Sequence, residues 1–369
     1  MQTQELLLVS AGIGLRGGGA AHLARVLARA SAEYATAHRL AFSVAALDGS
    51  DAPLDGIPLR TYDGRKAALA AAVARTQLAG AARTAIVFDH LGPARIQPFL
   101  PHSLRAPYAL FLLGTEAWKE LRTDRRRALC GARLRVAISD YTRRRILEKT
   151  PEAEPIEVLH LAIEEPRRNG PPDAALLARC GDGFVLTVGR LASGDRYKGH
   201  DELLAATARL GEQGIPARLV IAGEGDDRPR LERRAAELGL AERVLFTGHV
   251  SDSTRAELYR RARVFAMPSR GEGFGLVYLE AMRAGLPCVA LRESAAAEIV
   301  VDGQTGSLVP TGDRDALATA LARLLEDSTL ASRWGAAGRE RREREFGWER
   351  FRDRYFDVLD RLTATDVQP

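Results

Sequence analysis

The stretch SRGEGFGLVYLEAMRAGLPCVA, residues 269–290, decides how this chain is read. A short apolar run, VFAM, precedes it and ends near Pro268 as a buried strand would. Gly271, Gly273 and Gly275 then make a turn, and a helix opens at about Leu276. A helix start presents backbone N–H groups and positive dipole to whatever lies before it, which suits a phosphate. Glu272 lies in the loop and Glu280 eight positions on, one to two turns into the helix. Because a loop separates them, the two carboxylates need not share a task.

Moving outward, the same half begins with FVLTVGRLASGDRYKGHDELL. Arg190 follows a strand and Lys198 precedes a helix, so both side chains can converge on one crevice. Lysine is scarce: Lys66, Lys119, Lys149 and Lys198 are the only four among 53 Lys and Arg residues. Its retention at Lys198 suggests a compact ammonium facing a phosphate, against the plain alternative of a surface lysine. In VIAGEGDD, Gly223 and Gly225 end a strand and permit close backbone approach to a ligand. Gly248 could do the same after the next strand, and Glu298 lies beside a glycine turn near the same rim.

Strand-like runs alternate with helical stretches along the whole chain: LLLVS, FSVAA, TAIVFD, YALFLL, RVAIS and IEVLHLAI, then FVLTVGR, ARLVIAG, RVLFTG, RVFAMPS and PCVAL. Such alternation implies parallel sheets with right-handed crossovers, here twice over. The fold class expected is therefore α/β, two Rossmann-like doubly wound domains facing across a cleft lined by the carboxyl ends of both sheets. The polar, proline-rich stretch EEPRRNGPPDAALL, residues 164–177, reads as the linker. The expected domains are residues 1–165 and 166–347. A closing helix over about 348–363, with Phe346, Phe351, Tyr355, Phe356 and Leu359 near helical spacing, packs back on the first. A membrane-surface helix is the other reading of that segment.

Composition sets bounds. At 369 residues, two domains are the natural expectation, and 46% hydrophobic with 27% charged residues describes an ordinary globular protein. No run of eighteen apolar residues is present. The start, MQTQELLLVS, lacks a basic region and a cleavage site, and Cys130, Cys180 and Cys288 are few and scattered. Both point to the cytoplasm and neither to a metal. The net charge is +5 and the pI about 9.3. Basic residues crowd between Lys119 and Lys149, where Arg122, Arg125, Arg126, Arg127, Arg133, Arg135, Arg143, Arg144 and Arg145 face only four acids. That stretch suits anionic lipid or a phosphorylated substrate, which would make the protein peripheral on the inner face of a membrane, or it is a solvated face. No recognised nucleic-acid module accompanies it, so nucleic acid is not an expected partner.

The first strand empties into glycines: LLLVSAGIGLRGGGAAHLARVLARA, where Gly12, Gly14 and Gly17 spell G-x-G-x-x-G. A dinucleotide loop, a bare structural turn and some other phosphate-facing loop all fit this local pattern. Against the dinucleotide, Gly18 and Gly19 delay the helix, and Asp48 lies beyond the separation usual for a ribose-binding acid.

Together these residues resemble the retaining glycosyltransferases of family 4, which have the GT-B fold. The likeness runs from the glycine loop to the terminal helix. Its core is the E-x7-E pair Glu272 and Glu280 within PSRGEGFGLVYLEAM, with GRL…YKGH, AGEGDD, FTG and EIVVDGQTGSLV in order. The resemblance implies that Arg190 and Lys198 hold the diphosphate of a nucleotide sugar and that Glu280 binds the ribose hydroxyls. Glu272, with the backbone at Phe274, Gly275 and Leu276, would bind the donor sugar, with Gly223 nearby. Main-chain groups around Gly248 to Val250 would meet the base. The glycine loop, through Gly17 and Gly18, would face the donor phosphates and the acceptor, which removes the need for a dinucleotide. The implied acceptor is a glycan, a lipid-linked sugar or a small molecule, in cell-surface polysaccharide or glycolipid synthesis. No cofactor and no metal are expected: Asp313–Arg314–Asp315 reads better as a helix cap.

Two rival uses remain in view. A glycosidase carboxylate pair explains neither Arg190 nor Lys198. A catalytically degenerate GT-B binding protein is kept alive by one departure. Relatives usually have a histidine just before the Gly-x-Glu of the first domain, commonly meeting the donor 6-hydroxyl. Here ALFLLGTEAW has Leu113 in that place, which suggests a pentose or 6-deoxyhexose donor. Alternatively, water or His90, at the end of the preceding strand, supplies the missing partner; His90 also reads as a structural histidine.

Overall fold

The computed structural model describes residues 3–14, 18–52, 54, 56–164 and 170–364. The chain divides into two units, Met1–Glu164 with Gly347–Pro369, and Glu165–Phe346. Each is built on one parallel sheet.

In the first unit seven strands lie in the order β3-β2-β1-β4-β5-β6-β7. They are β1 (Glu5–Ser10), β2 (Ala41–Ala46), β3 (Leu59–Thr61), β4 (Thr84–Phe88), β5 (Tyr108–Leu112), β6 (Leu134–Ala137) and β7 (Glu157–Val158). Every pairing is parallel, with Leu8 opposite Val44 on one side and Val87 on the other. The central strands read as unbroken apolar runs because helices cover both faces. Leu6, Leu8, Ile86, Val87, Leu110 and Phe111 are all sealed from solvent. The helices Gly18–His38 and Trp348–Thr363 meet in this unit. Between them the Ser31 and Tyr355 hydroxyls hydrogen-bond at 2.9 Å, and Tyr34 donates to Asp360 at 2.8 Å.

The second unit repeats the plan with six strands in the order β10-β9-β8-β11-β12-β13, again all parallel. They are β8 (Val185–Val188), β9 (Leu219–Ala222), β10 (Val244–Gly248), β11 (Val264–Ala266), β12 (Cys288–Leu291) and β13 (Gly306–Val309). Asp313 caps the helix Arg314–Glu326, its carboxylate accepting from the Ala316 N–H at 2.8 Å. Two Rossmann-like parallel-sheet units are thus present, as expected.

Details differ where local pattern is weak. The short edge strand β3 carries no clear apolar signal, and IEVLHLAI narrows to the two residues of β7. The expected linker ends early: Asp173 accepts from the Leu176 N–H and starts a helix over Ala174–Cys180. In the terminal helix the buried face is Phe351, Tyr355, Val358, Leu359 and Leu362. Phe346 instead ends the preceding helix Ser328–Phe346, and Phe356 is only half-buried.

Candidate functional site

In the second unit the strand order reverses between β8 and β11. Crossovers leave these two strands toward opposite faces of the sheet, so the loops beyond their carboxyl ends part and form a crevice. The loop after β8 carries Arg190, the turn Ser193–Lys198 and Gly199, and leads into the helix His200–Glu212. The loop after β11 carries Ser269 to Gly275 and leads into the helix Leu276–Arg283.

The two loops touch. Gly199 has φ +82°, and a Cβ there would collide with the Pro268 carbonyl, so only glycine lets the backbones approach. The Arg270 N–H donates to the Tyr197 carbonyl at 2.9 Å, and the Tyr197 ring lies against Gly271. Burial first, then the nearby Glu272 and Asp195 carboxylates, push the Tyr197 phenol up to about 12. That contact brings Lys198 and Glu272 together: Nζ donates to Oε1 at 2.6 Å, with both side chains largely buried. The Ser269 hydroxyl donates to the same oxygen at 3.4 Å. Arg190 pairs with Asp195 at 2.9 Å while most of its guanidinium stays in solvent.

Behind the lysine loop stands a second charged cluster. Arg230 donates to both oxygens of Asp201, at 2.8 and 2.7 Å, and to both of Asp227. Arg196 also donates to Asp227, at 2.8 Å. Hydrogen bonds from Arg230 hold the buried Asp227 below the ordinary carboxylate range. His200 is pushed down to about 4, by burial and then by Lys198, so it stays neutral beside this cluster. The AGEGDD and YKGH segments are therefore one braced assembly.

Glu280 lies on the second turn of its helix, and its Oε2 accepts from the Tyr259 hydroxyl at 2.9 Å. Glu272 and Glu280 thus have different partners, in keeping with separate tasks. Phe274 is buried, and Gly275, at φ +106°, turns the chain into the helix that starts at Leu276. Gly223 and Gly248 meet each other, the N–H of one donating to the carbonyl of the other at 3.0 Å. A cavity of about 490 Å³ opens beside the turn that follows β10, lined by Thr247, His249, Val250 and Ser251 with Asp173 and Arg179.

The remaining nominated residues belong to the first unit. Gly17 lies outside the described residues, and Gly18 opens the helix Gly18–His38 at φ +65°. His90 caps the turn after β4, its Nδ1 accepting from the Gly92 N–H at 2.9 Å. That bond makes the neutral ring an Nε2–H donor, and burial lowers its pKa. Beside it the buried Asp89 accepts from the Ser10 hydroxyl at 2.6 Å and from the Ala11 N–H at 3.0 Å. Burial pushes Asp89 up to about 7, opposed by the Ser10 hydrogen bond. Leu113 donates its N–H to Glu116 at 2.7 Å.

Sequence reasoning passed over Asp195, Tyr197, Asp227, Arg255 and Tyr259. One signal was available: Arg255 and Tyr259 sit four apart on the helix Asp252–Arg261 and so share a face.

Residues 174–341 match the family model Glycosyl transferases group 1. A GDP-mannose-dependent alpha-(1-6)-phosphatidylinositol monomannoside mannosyltransferase of Mycolicibacterium smegmatis is 36% identical over 214 residues, 55% of each chain. An alpha-D-kanosaminyltransferase of Streptomyces kanamyceticus is 36% identical over 150 residues, 41% of this chain and 38% of its own. The chain spans about half the length of the first of these relatives, or less for the second. Among solved structures, HepE of Anabaena in complex with UDP superposes with a TM-score of 0.74 at 21% identity, over 97% of this chain and 100% of its own. Sucrose-phosphate synthase of Thermosynechococcus elongatus gives 0.72 at 22% identity, over 97% and 99%.

Proposed function

We propose, for a GT-B chain whose residues 174–341 match the glycosyl transferases group 1 family, that it moves a sugar from a nucleoside-diphosphate sugar to an acceptor hydroxyl. The observation that carries this is the Lys198–Glu272 pair at the strand-order reversal, flanked by Arg190 and the helix start at Leu276. Arg190, Lys198 and that helix start stabilise the charge that develops on the departing diphosphate. Glu272, with the backbone of Phe274, Gly275 and Leu276, holds the transferred sugar. Glu280 takes the ribose hydroxyls, and the backbone of Gly248 to Val250, beside the cavity, meets the base. The acceptor attacks from the face the diphosphate leaves, so configuration is retained, and the leaving phosphate oxygen takes the acceptor proton. These cations neutralise the diphosphate without a divalent ion.

Thermal denaturation with UDP, GDP and NAD tests the donor reading. At a hundredfold excess over Kd, one nucleoside diphosphate should stabilise by about 2.7 kcal/mol, while NAD does nothing. Stabilisation by NAD alone, or by none of the three, overturns it.

The mannoside named for the relative suggests a lipid-linked acceptor, presented at an anionic membrane surface. Among the described residues no helix is long and apolar enough to cross a membrane. The basic stretch is less charged than its arginine count suggests. Arg126 pairs with Glu152, Asp140 takes both Arg143 and Arg144, and Arg145 lies 3.9 Å from Glu148. Arg122, Arg126 and Arg127 are exposed. Each basic residue near an anionic surface contributes about 1 kcal/mol, screened by salt. Sedimentation with phosphatidylserine vesicles should show binding at low salt that weakens when Arg125, Arg126 and Arg127 become Ser. A wild type that ignores such vesicles at low salt removes the membrane from the proposal.

A further inference from the structure

Glu280 is held from behind. Its Oε2 accepts from the Tyr259 hydroxyl at 2.9 Å and lies 3.7 Å from Arg255 Nε. Arg255 is itself tied to Asp252 at 3.0 Å. Tyr259 is 2% exposed, its ring packs on Phe265 with centroids 5.9 Å apart, and its hydroxyl also lies 3.4 Å from the Val277 carbonyl. The phenol is thus gripped at ring and hydroxyl alike. Burial, and then Glu280, raise its pKa well above the ordinary value, so it stays protonated and donates to the carboxylate. Burial works against the Arg255 cation, but Glu280 and Asp252 more than offset it and keep it charged. One carboxylate oxygen therefore faces two donors from the helix Asp252–Arg261, and the other, Oε1, is the oxygen that can meet a ligand.

A glutamate side chain has three soft torsions, and ordering them on binding costs affinity. A donor that fixes Oε2 beforehand removes part of that cost. We propose that Tyr259 is a positioning residue for nucleotide recognition, holding the Glu280 carboxylate so that Oε1 presents to the vicinal diol of the donor ribose. This rests on the reading of Glu280 given above. The alternative is that the hydrogen bond only satisfies a buried phenol.

Calorimetric titration with UDP and GDP and with their 2′,3′-dideoxy counterparts separates the two. The wild type should favour whichever ribonucleotide it binds over its dideoxy form by about tenfold or more. Tyr259→Phe, which keeps the ring, should shrink that preference by about three- to tenfold while dideoxy binding stays within about twofold. Equal weakening of both ligands, or an unchanged preference, in a Tyr259→Phe protein overturns the positioning role. Glu280→Ala reports on the underlying reading: a ribose preference that survives it, or no binding of either nucleotide to the wild type, overturns the Glu280 assignment and the inference with it. Loss of preference in Glu280→Ala with full preference in Tyr259→Phe overturns the inference alone. Should Tyr259→Phe not fold, Arg255→Gln removes the other neighbour of Oε2 and should narrow the same ratio.

Discussion

Replacing Arg190 and Lys198 together by alanine is expected to abolish calorimetric binding of UDP or GDP and to lower sugar transfer by about 10³-fold or more. Hydrogen bonds to charged groups contribute about 1.5–3 kcal/mol each, and these two cations converge on the same phosphates in the proposed site. The single variants should not be alike. Arg190 stands mostly in solvent, so Arg190→Ala should fold like the wild type. Lys198 and Glu272 have side chains only 13% and 16% exposed, so Lys198→Ala leaves a nearly buried carboxylate without its cation. That should cost about 2 kcal/mol of stability. Adding Glu272→Gln should restore the melting temperature but not the activity, which separates the folding role of the pair from its chemical one. A double alanine variant that binds the nucleotide as tightly as the wild type would refute the site.

The largest effect on stability is expected at Gly223. It has φ +151°, a region almost reserved for glycine, and a Cβ would fall inside the Gly189 carbonyl. The neighbour that would have to yield is backbone, so Gly223→Ala combines dihedral strain with a collision that no side-chain rotation relieves. About 3 kcal/mol or more should be lost. For a unit of this size that lowers the melting temperature by roughly 6–12 °C. Gly303, at φ +72° with open space around it, is the control, and Gly303→Ala should cost about 1 kcal/mol. Scanning calorimetry reads both. Equal melting of the two variants would mean the close approach of β8 and β9 at this point contributes nothing. Because Gly189 directly precedes Arg190, Gly223→Ala should weaken nucleotide binding as well.

Both sheets could be read from the chain because parallel strands buried on two faces leave long apolar runs, as in LLLVS and TAIVF. β3 and β13 escaped, and β7 was expected too long, because a short edge strand buries too little to leave a pattern. The start of the helix at Ala174 was signalled by Asp173 but hidden behind two prolines that read as linker. At the site, Arg190, Lys198, Glu272 and Glu280 stand out through their loops. Their partners do not, since pairing Lys198 with Glu272 joins segments 74 residues apart. Only the fold brings Asp227 under Arg196, Asp201 under Arg230, or Tyr259 under Glu280. The glycine loop shows the opposite limit. Its spacing fits several ligands, and nothing within the loop chooses among them.

The helix Trp348–Thr363 has a consequence for how the protein is made. It belongs to the first unit, yet the ribosome reaches it only after the whole of the second unit has been synthesised. Until then Ser31, Tyr34 and Phe111 lack the partners that Tyr355 and Asp360 supply. The nascent first unit must wait with an uncovered apolar flank, while the second unit has all of its sequence and can fold first. Domains usually mature in the order of translation, amino-terminal first. Here the order should invert, and the exposed flank is where a chaperone would be needed during synthesis.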